Sequence, residues 1–268
     1  MIAAVVPVHM EEYRVGRVLT SLLSANTVSR IFVILNGANE VTAKQVQQSY
    51  ARHEEKLVLV SFALPLGIDI PRAVGARLAY AAGADYTVFI DGDMAGEFAA
   101  ELESFINTTV RLELDLALLD CYPDKAVLTD QAQPLLYWRA LLNKELGLYD
   151  KINIATPSHG FHAVSRRMLR DIPWADFAVP PTLLTHAVRL HYRTGIAGTV
   201  PHAQLGSSIK NMTHNLLIVD TIIGDCIEAL CIWHHRPRTR SWGNKTYIGY
   251  HDRRRFDLLQ QFLAGLSM

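Results

Sequence analysis

The 268-residue chain is half hydrophobic and balances 26 Lys and Arg against 26 Asp and Glu, for a formal net charge of zero. Such a composition supplies a sizeable core and excludes a disordered chain, and the charge balance removes the global field that would argue for nucleic acid as a partner. Three cysteines, Cys121, Cys226 and Cys231, form neither a metal-type spacing nor a disulfide framework, which predicts a reducing, cytoplasmic setting.

The first segment, Ile2-Ala-Ala-Val-Val-Pro-Val, is a continuous apolar run, as expected of a strand buried on both faces, and no basic n-region of an export signal precedes it. Val15, Val18, Leu19, Leu22 and Leu23 then recur at helical spacing, and a second apolar run stops at Asn36-Gly37, completing a β-α-β unit. The pattern continues with a polar helix over 42–53, a strand over 56–62, a helix over 71–82, a strand over 86–90, a helix over 96–109 and a strand over 115–121. Alternation of this kind predicts an α/β fold with a mostly parallel sheet, whose strand C-termini share one edge, and ligands bind beyond that edge. His9 to Glu12, Asn36 to Asn39, Leu66 to Arg72 and Asp91 to Asp93 are therefore candidate site segments.

After Tyr122 the regularity fades into a polar loop, an aromatic-bearing helix over 135–146, a turn at Ser158-His159-Gly160 and a helix over 181–193. The apolar stretch 215–233 contains Asp220, Asp225 and Glu228, too costly a set for hydrocarbon, and reads as an amphipathic helix. The chain divides on this reading into a nucleotide-binding half (1–121), an acceptor-binding half of the same domain (122–214) and a helical, basic C-terminal extension (215–268).

Asp91-Gly92-Asp93 directly follows an apolar strand, placing two hard oxygen ligands at the ligand edge with a glycine that permits a sharp turn between them. Carboxylates so placed suit Mg2+ or Mn2+, which leave their remaining positions to water and substrate phosphates. A solvated Asp-Gly turn is the bland alternative.

Together with Val5-Val-Pro-Val-His-Met-Glu-Glu, Phe32-Val-Ile-Leu-Asn-Gly and Leu66-Gly-Ile-Asp-Ile-Pro-Arg-Ala-Val-Gly-Ala, the segment Val88-Phe-Ile-Asp-Gly-Asp resembles family-2-like glycosyltransferases of the GT-A fold. A narrower likeness is to the glucosyl- and mannosyl-3-phosphoglycerate synthase and mannosylglycerate synthase group. The resemblance covers about the first hundred residues and implies a metal-assisted transfer of sugar from a nucleoside-diphosphate-sugar donor to an unidentified, phosphorylated or otherwise anionic acceptor. It implies that Pro7, His9, Glu11, Asn36, Gly37, Arg72 and Asp91 contact the nucleotide, that Asp91 and Asp93 hold the metal, and that Ser158, His159 and Gly160 face the acceptor. It also implies a histidine ligand from the segment between Val200 and His214; His214, just before the long C-terminal helix, is preferred, with His202 left open. Where the family usually carries an acidic general base this chain has Ala178-Val-Pro-Pro-Thr182, so Asp176 is taken as the substitute, with a retaining course as the alternative.

Between Arg236 and Arg255 seven basic residues face a single acid, Asp252. This tail reads as a grip on a phosphorylated substrate, as a peripheral membrane contact, as a contact with a neighbouring subunit in a homo-oligomer, as a nucleic-acid contact through its interleaved aromatics, or as a solvated surface. Two competing functions remain beside the transferase: a sugar-phosphate nucleotidylyltransferase, disfavoured because no glycine precedes Gly16 after the first strand, and a non-catalytic nucleotide-sugar binder.

Overall fold

The computed structural model describes residues 1–123, 133–207 and 211–266; the polar loop expected after Tyr122 lies largely outside them. Seven strands form one sheet in the order β3-β2-β1-β4-β6-β5-β7: β1 (Ile2–Val8), β2 (Arg30–Asn36), β3 (Leu57–Phe62), β4 (Tyr86–Phe89), β5 (Leu116–Asp120), β6 (His162–Ser165) and β7 (Thr194–Thr199). All pairings are parallel except those of β6, which runs against both β4 and β5. The crossover helices α1 (Val15–Ser24), α2 (Glu40–Arg52), α3 (Ile70–Ala81) and α4 (Ala99–Arg111) match the expected elements to within a few residues. Helices α5 (Gln133–Glu145), α6 (Tyr149–Ile152), α7 (Arg166–Asp171), α8 (Thr182–Arg189), α9 (Met212–Trp233) and α10 (Phe256–Gly265) complete the chain, with a small hairpin of β8 (Ser241–Trp242) and β9 (Lys245–Thr246). The helix expected over 181–193 ends at Arg189, and the chain turns at His191, which has φ 55°, into β7.

Strands near the sheet centre bury both faces, so two apolar layers form. One packs α1, α2 and α4 on the side reached by Val6, Val33 and Val88; the other packs α3, α5, α8 and α9 on the side reached by Val5, Ile34 and Phe89. Neighbouring residues of a strand point to opposite faces, which is why Val5 and Val6 serve different layers. No helix among the described residues is long and apolar enough to cross a membrane.

The C-terminal segment is stitched onto the loop between β3 and α3. Arg255 N donates to Leu66 O at 2.8 Å, and a Cβ on Gly67, whose φ is +84°, would collide with Arg253 O. Gly67→Ala is therefore expected to cost about 2 kcal/mol through the left-handed backbone and the blocked contact, measured as a lowered urea midpoint.

Two arginines of the basic tail are folded inward. Arg240 is 6% exposed and its Nη1 lies 2.6 Å from both Asp225 Oδ1 and Glu228 Oε1; the buried side chain of Arg254 reaches Asp225 at 2.7 Å and Asp69 at 2.9 Å. Arg238 pairs with Asp176 and Glu228, Arg255 with Asp257, and Lys245 with Asp220. Arg240 and Arg254 are thus not part of a solvated surface, whereas Arg236, Arg238, Lys245 and Arg253 remain exposed. Charge counts along a sequence do not reveal the pairing of Arg238 with Asp176 or of Arg254 with Asp69, whose partners lie 62 and 185 residues apart.

Candidate functional site

Parallel pairing carries the ends of β1, β2, β3 and β4 to one edge. At the end of β4, Met94 N donates to Asp91 O and Gly92 N to Pro7 O, both at 3.1 Å, bending the chain against the β1 loop. A Cβ on Gly92 would sit 2.8 Å from Pro7 O and 3.0 Å from Val8 Cγ2, so only glycine fits there, and the same spot lies 3.5 Å from Glu11 Cγ. Pro7, Glu11 and the Asp91–Asp93 turn thus meet at this edge.

Arg72 is not a surface residue. It is 5% exposed at the start of α3, its Nε 3.0 Å from Asp69 Oδ1 and its Nη2 2.5 Å from Asp91 Oδ1. Asp69 adopts a left-handed φ of 61°, a conformation that Asp tolerates better than most residues, and its other oxygen accepts from Arg254. Burial pushes the Asp91 carboxyl up to about 6, against the pull of Arg72 and with the added repulsion of Asp93 and Asp69. The picture of two open metal ligands is corrected in one respect: Asp91 Oδ1 is held by a guanidinium, though 35% of the Asp91 side chain still faces solvent. The cluster has the hard-oxygen donors and the surplus of negative charge that suit a divalent cation.

His9 Nδ1 lies 2.6 Å from Asn36 O, fixing the β1 loop to the β2 end. Asn36 itself donates to Gly67 O at 3.0 Å and accepts from Leu66 N at 2.5 Å. Its amide therefore shapes the β3–α3 loop, with one N–H and one carbonyl lone pair engaged. Gly37, at φ +57°, donates its N–H to Phe62 O and closes the β2 turn over β3.

His214 sits in the first turn of α9. Its backbone N donates to the Asn211 side chain, and its Nδ1 lies 2.8 Å from the phenolic oxygen of Tyr250. Among the described residues, Asp91, Asp93 and His214 are not gathered into a three-ligand set; the one such group is Asp225, Glu228 and His251, where the guanidinium of Arg240 sits against both carboxylates. The expected ligand trio is corrected to that extent.

Asp176 is also corrected. It is 4% exposed, with Oδ2 2.7 Å from His186 Nε2 and Oδ1 2.5 Å from Arg238 Nη1. Burial alone would raise its pKa, but the His186 hydrogen bond and the Arg238 charge outweigh that and hold it below the usual carboxylate range. A carboxylate with both oxygens engaged and a depressed pKa is a poor base.

The antiparallel course of β6 starts at the edge where β4 ends, pairing His162 with Phe89, so the turn before it reaches the same edge. Thr156 Oγ1 and Ser158 Oγ lie 2.9 Å apart; the His159 ring stacks on Tyr122 at 5.1 Å and meets His202 at 4.8 Å; Gly160 packs on Cys121 Sγ. His162 stacks on Phe89, and burial, with the Arg72 charge, lowers its pKa well below the ordinary value. Sequence reasoning did not single out Asp69, His162, Tyr122 or Arg254, which become visible only once the strand order is known.

The model of Glycosyl transferase family 2 matches residues 3–173. No curated protein matches the chain in sequence. Among solved structures, glucosyl-3-phosphoglycerate synthase from Mycobacterium tuberculosis in complex with Mn2+ and UDP-glucose is 18% identical with a TM-score of 0.63, covering 90% of this chain and 81% of that one. The same synthase in complex with phosphoglyceric acid is 16% identical with a TM-score of 0.61, covering 90% and 82%. A mycobacterial protein scores 0.61 at 17% identity, covering 90% and 76%. At such identities the likeness is one of fold.

Proposed function

Because the chain belongs to glycosyl transferase family 2, we propose that it moves a sugar from a nucleoside-diphosphate-sugar to an acceptor bearing an anionic group, with a divalent cation at the Asp91–Asp93 turn. The observation that carries this reading is the meeting of Asp91 and Asp93 with a buried Arg72 at the sheet's ligand edge. The solved complex of the structurally similar synthase with Mn2+, UDP-glucose and phosphoglyceric acid supports a uridine nucleotide and a phosphorylated acceptor as first candidates.

Arg72, clamped between Asp69 and Asp91, would hold a fixed positive charge beside the donor diphosphate, where its remaining N–H groups can donate to phosphate oxygens. Asp93, with the exposed part of Asp91, would hold the cation, Mg2+ or Mn2+, whose chemistry is to neutralise the departing diphosphate. The β1 loop around Pro7, His9 and Glu11 and the Gly37 turn would cradle the nucleoside, and Ser158, His159 and Gly160 would form the acceptor wall. With Asp176 engaged elsewhere, the departing phosphate oxygen is the base for the acceptor hydroxyl, a course that retains anomeric configuration.

A thermal-shift panel of nucleoside diphosphates with and without Mn2+ tests the reading, since a ligand at 100 times its Kd adds about 2.7 kcal/mol to the folded state. Stabilisation by one nucleotide only in the presence of Mn2+ supports it; no nucleotide response, or a response blind to Mn2+, removes the cation from the proposal. As Tyr250 engages one ring nitrogen of His214, His214→Ala is expected to leave the Mn2+ response close to the parent's in thermal shift.

A further inference from the structure

The first half of α9 is apolar on every side. Leu216, Leu217, Ile218 and Val219 follow one another around the helix, and a helix without a polar face is ordinarily buried. From Ile223 to Cys231 that rule holds, whereas Met212 and Leu216 are exposed and Leu217, Ile218 and Val219 only half-buried.

The exposed stripe continues beyond the helix. Met212, Leu216 and Asp220 are spaced four residues apart and so share one face, and Lys245 of the β8–β9 hairpin donates to Asp220 Oδ1 at 3.2 Å. Across the hairpin Lys245 pairs with Trp242, whose ring meets Trp138 of α5 edge-on at 5.1 Å, and Trp138 in turn meets Tyr137 at 6.1 Å. Met212, Leu216, Trp242 and Tyr137 are each between 52% and 68% exposed. Single exposed apolar side chains need no explanation, but four large ones joined along one face mark an interaction surface.

Charge selects its occupant. Between residues 234 and 255 the exposed arginines, lysines and acids are Arg236, Arg238, Lys245 and Arg253 against Asp252, so the segment that carries the hairpin is basic. A second copy docked through a two-fold axis would set these cations against their own counterparts. A nucleic acid would match the cations and the aromatic rings and leave Met212 and Leu216 uncovered. An anionic lipid surface satisfies all three features: headgroups take the cations, Trp and Tyr sit at the interface, and acyl chains cover the aliphatic stripe.

We propose that this face, formed by the start of α9, the β8–β9 hairpin and Tyr137 of α5, docks the protein onto an anionic lipid surface, the chain lying on the bilayer and not crossing it. None of these residues belongs to the donor or acceptor set assigned above, so the surface stands apart from the transferase reading.

The test uses the full chain with vesicles of phosphatidylcholine alone, or of phosphatidylcholine and phosphatidylglycerol in equal parts. Binding is read by co-sedimentation and by quenching of tryptophan fluorescence with lipids brominated on their acyl chains. The parent is expected to sediment with the mixed vesicles, to be quenched by them, and to be released by added salt. Trp242→Ser and Leu216→Ser are each expected to weaken binding about tenfold, the order of one large apolar side chain left in water. Lys245→Gln should weaken it about fivefold, the share of one cation near such a surface. All three side chains are exposed, so melting temperatures should stay near the parent's. No binding of the parent to the mixed vesicles overturns the proposal, as does equal binding to both vesicle types or equal binding by the parent and both serine variants. Binding to poly(dT) in place of vesicles overturns it in favour of nucleic acid. A parent dimer that Leu216→Ser dissociates in sedimentation equilibrium, with no vesicle binding, overturns it in favour of a second copy.

Discussion

Replacing Asp93 by asparagine is expected to remove the Mn2+ dependence of nucleotide binding while leaving the fold intact, because the amide keeps the shape of the side chain and loses its charge. The backbone of the turn depends on main-chain bonds that the substitution does not touch, such as Ala95 N to Asp93 O at 2.8 Å and Arg14 Nε to Asp93 O at 3.1 Å. The melting temperature without ligand should therefore stay close to the parent's. Sugar transfer should fall by about a hundredfold or more, the order of loss when one electrostatic stabiliser of developing charge is removed. A variant that keeps the parent's response to Mn2+ and nucleotide would show that this carboxylate holds no cation.

Arg254→Met is expected to be the most destabilising single substitution outside the apolar layers. Arg254 bridges Asp225 of α9 and Asp69 before α3, and its removal leaves Asp69 with Arg72 alone and Asp225 with Arg240 alone. Removing one partner of a buried ion pair costs about 3–5 kcal/mol, which urea unfolding measures directly. The loss should reach the donor site as well, since Asp69 also braces Arg72, so the KM for the donor is expected to rise more than kcat falls. The pH dependence has a definite sign. Burial would raise the pKa of Asp225, but Arg254 first and Arg240 second outweigh it, and the carboxyl lies below its ordinary value. Its contribution is thus fully present above about pH 4, the ordinary Asp range, and is lost as pH falls through the folded value. In Arg254→Met that folded value moves upward, so acid unfolding followed by circular dichroism should begin at higher pH than in the parent.

The nucleotide-side half was largely legible because its strands are buried on both faces and read as unbroken apolar runs: Ile2–Val8, Arg30–Asn36 and Tyr86–Phe89 all lie within a residue or two of the expected strands. The acceptor half was harder to read for physical reasons. β6 is only His162–Ser165, with a histidine and a serine that look like loop, and its register comes from being inserted between β4 and β5. β7 is Thr-Gly-Ile-Ala-Gly-Thr, whose glycines weaken any strand signal. At the site, the Asp91 and Asp93 turn was recognisable from the strand before it, whereas the engagement of Asp176 by Arg238 and of Asp69 by Arg254 joins positions 62 and 185 residues apart.

The clamp of Arg254 on Asp69 also has a consequence for the order in which the molecule matures. Chains are synthesised from the N-terminus, so β1 to β4 and α3 have left the ribosome before residue 254 does. Until then Asp69 and Asp225 lack one of their two guanidinium partners, and the brace on Arg72 is completed only once residue 254 is in place.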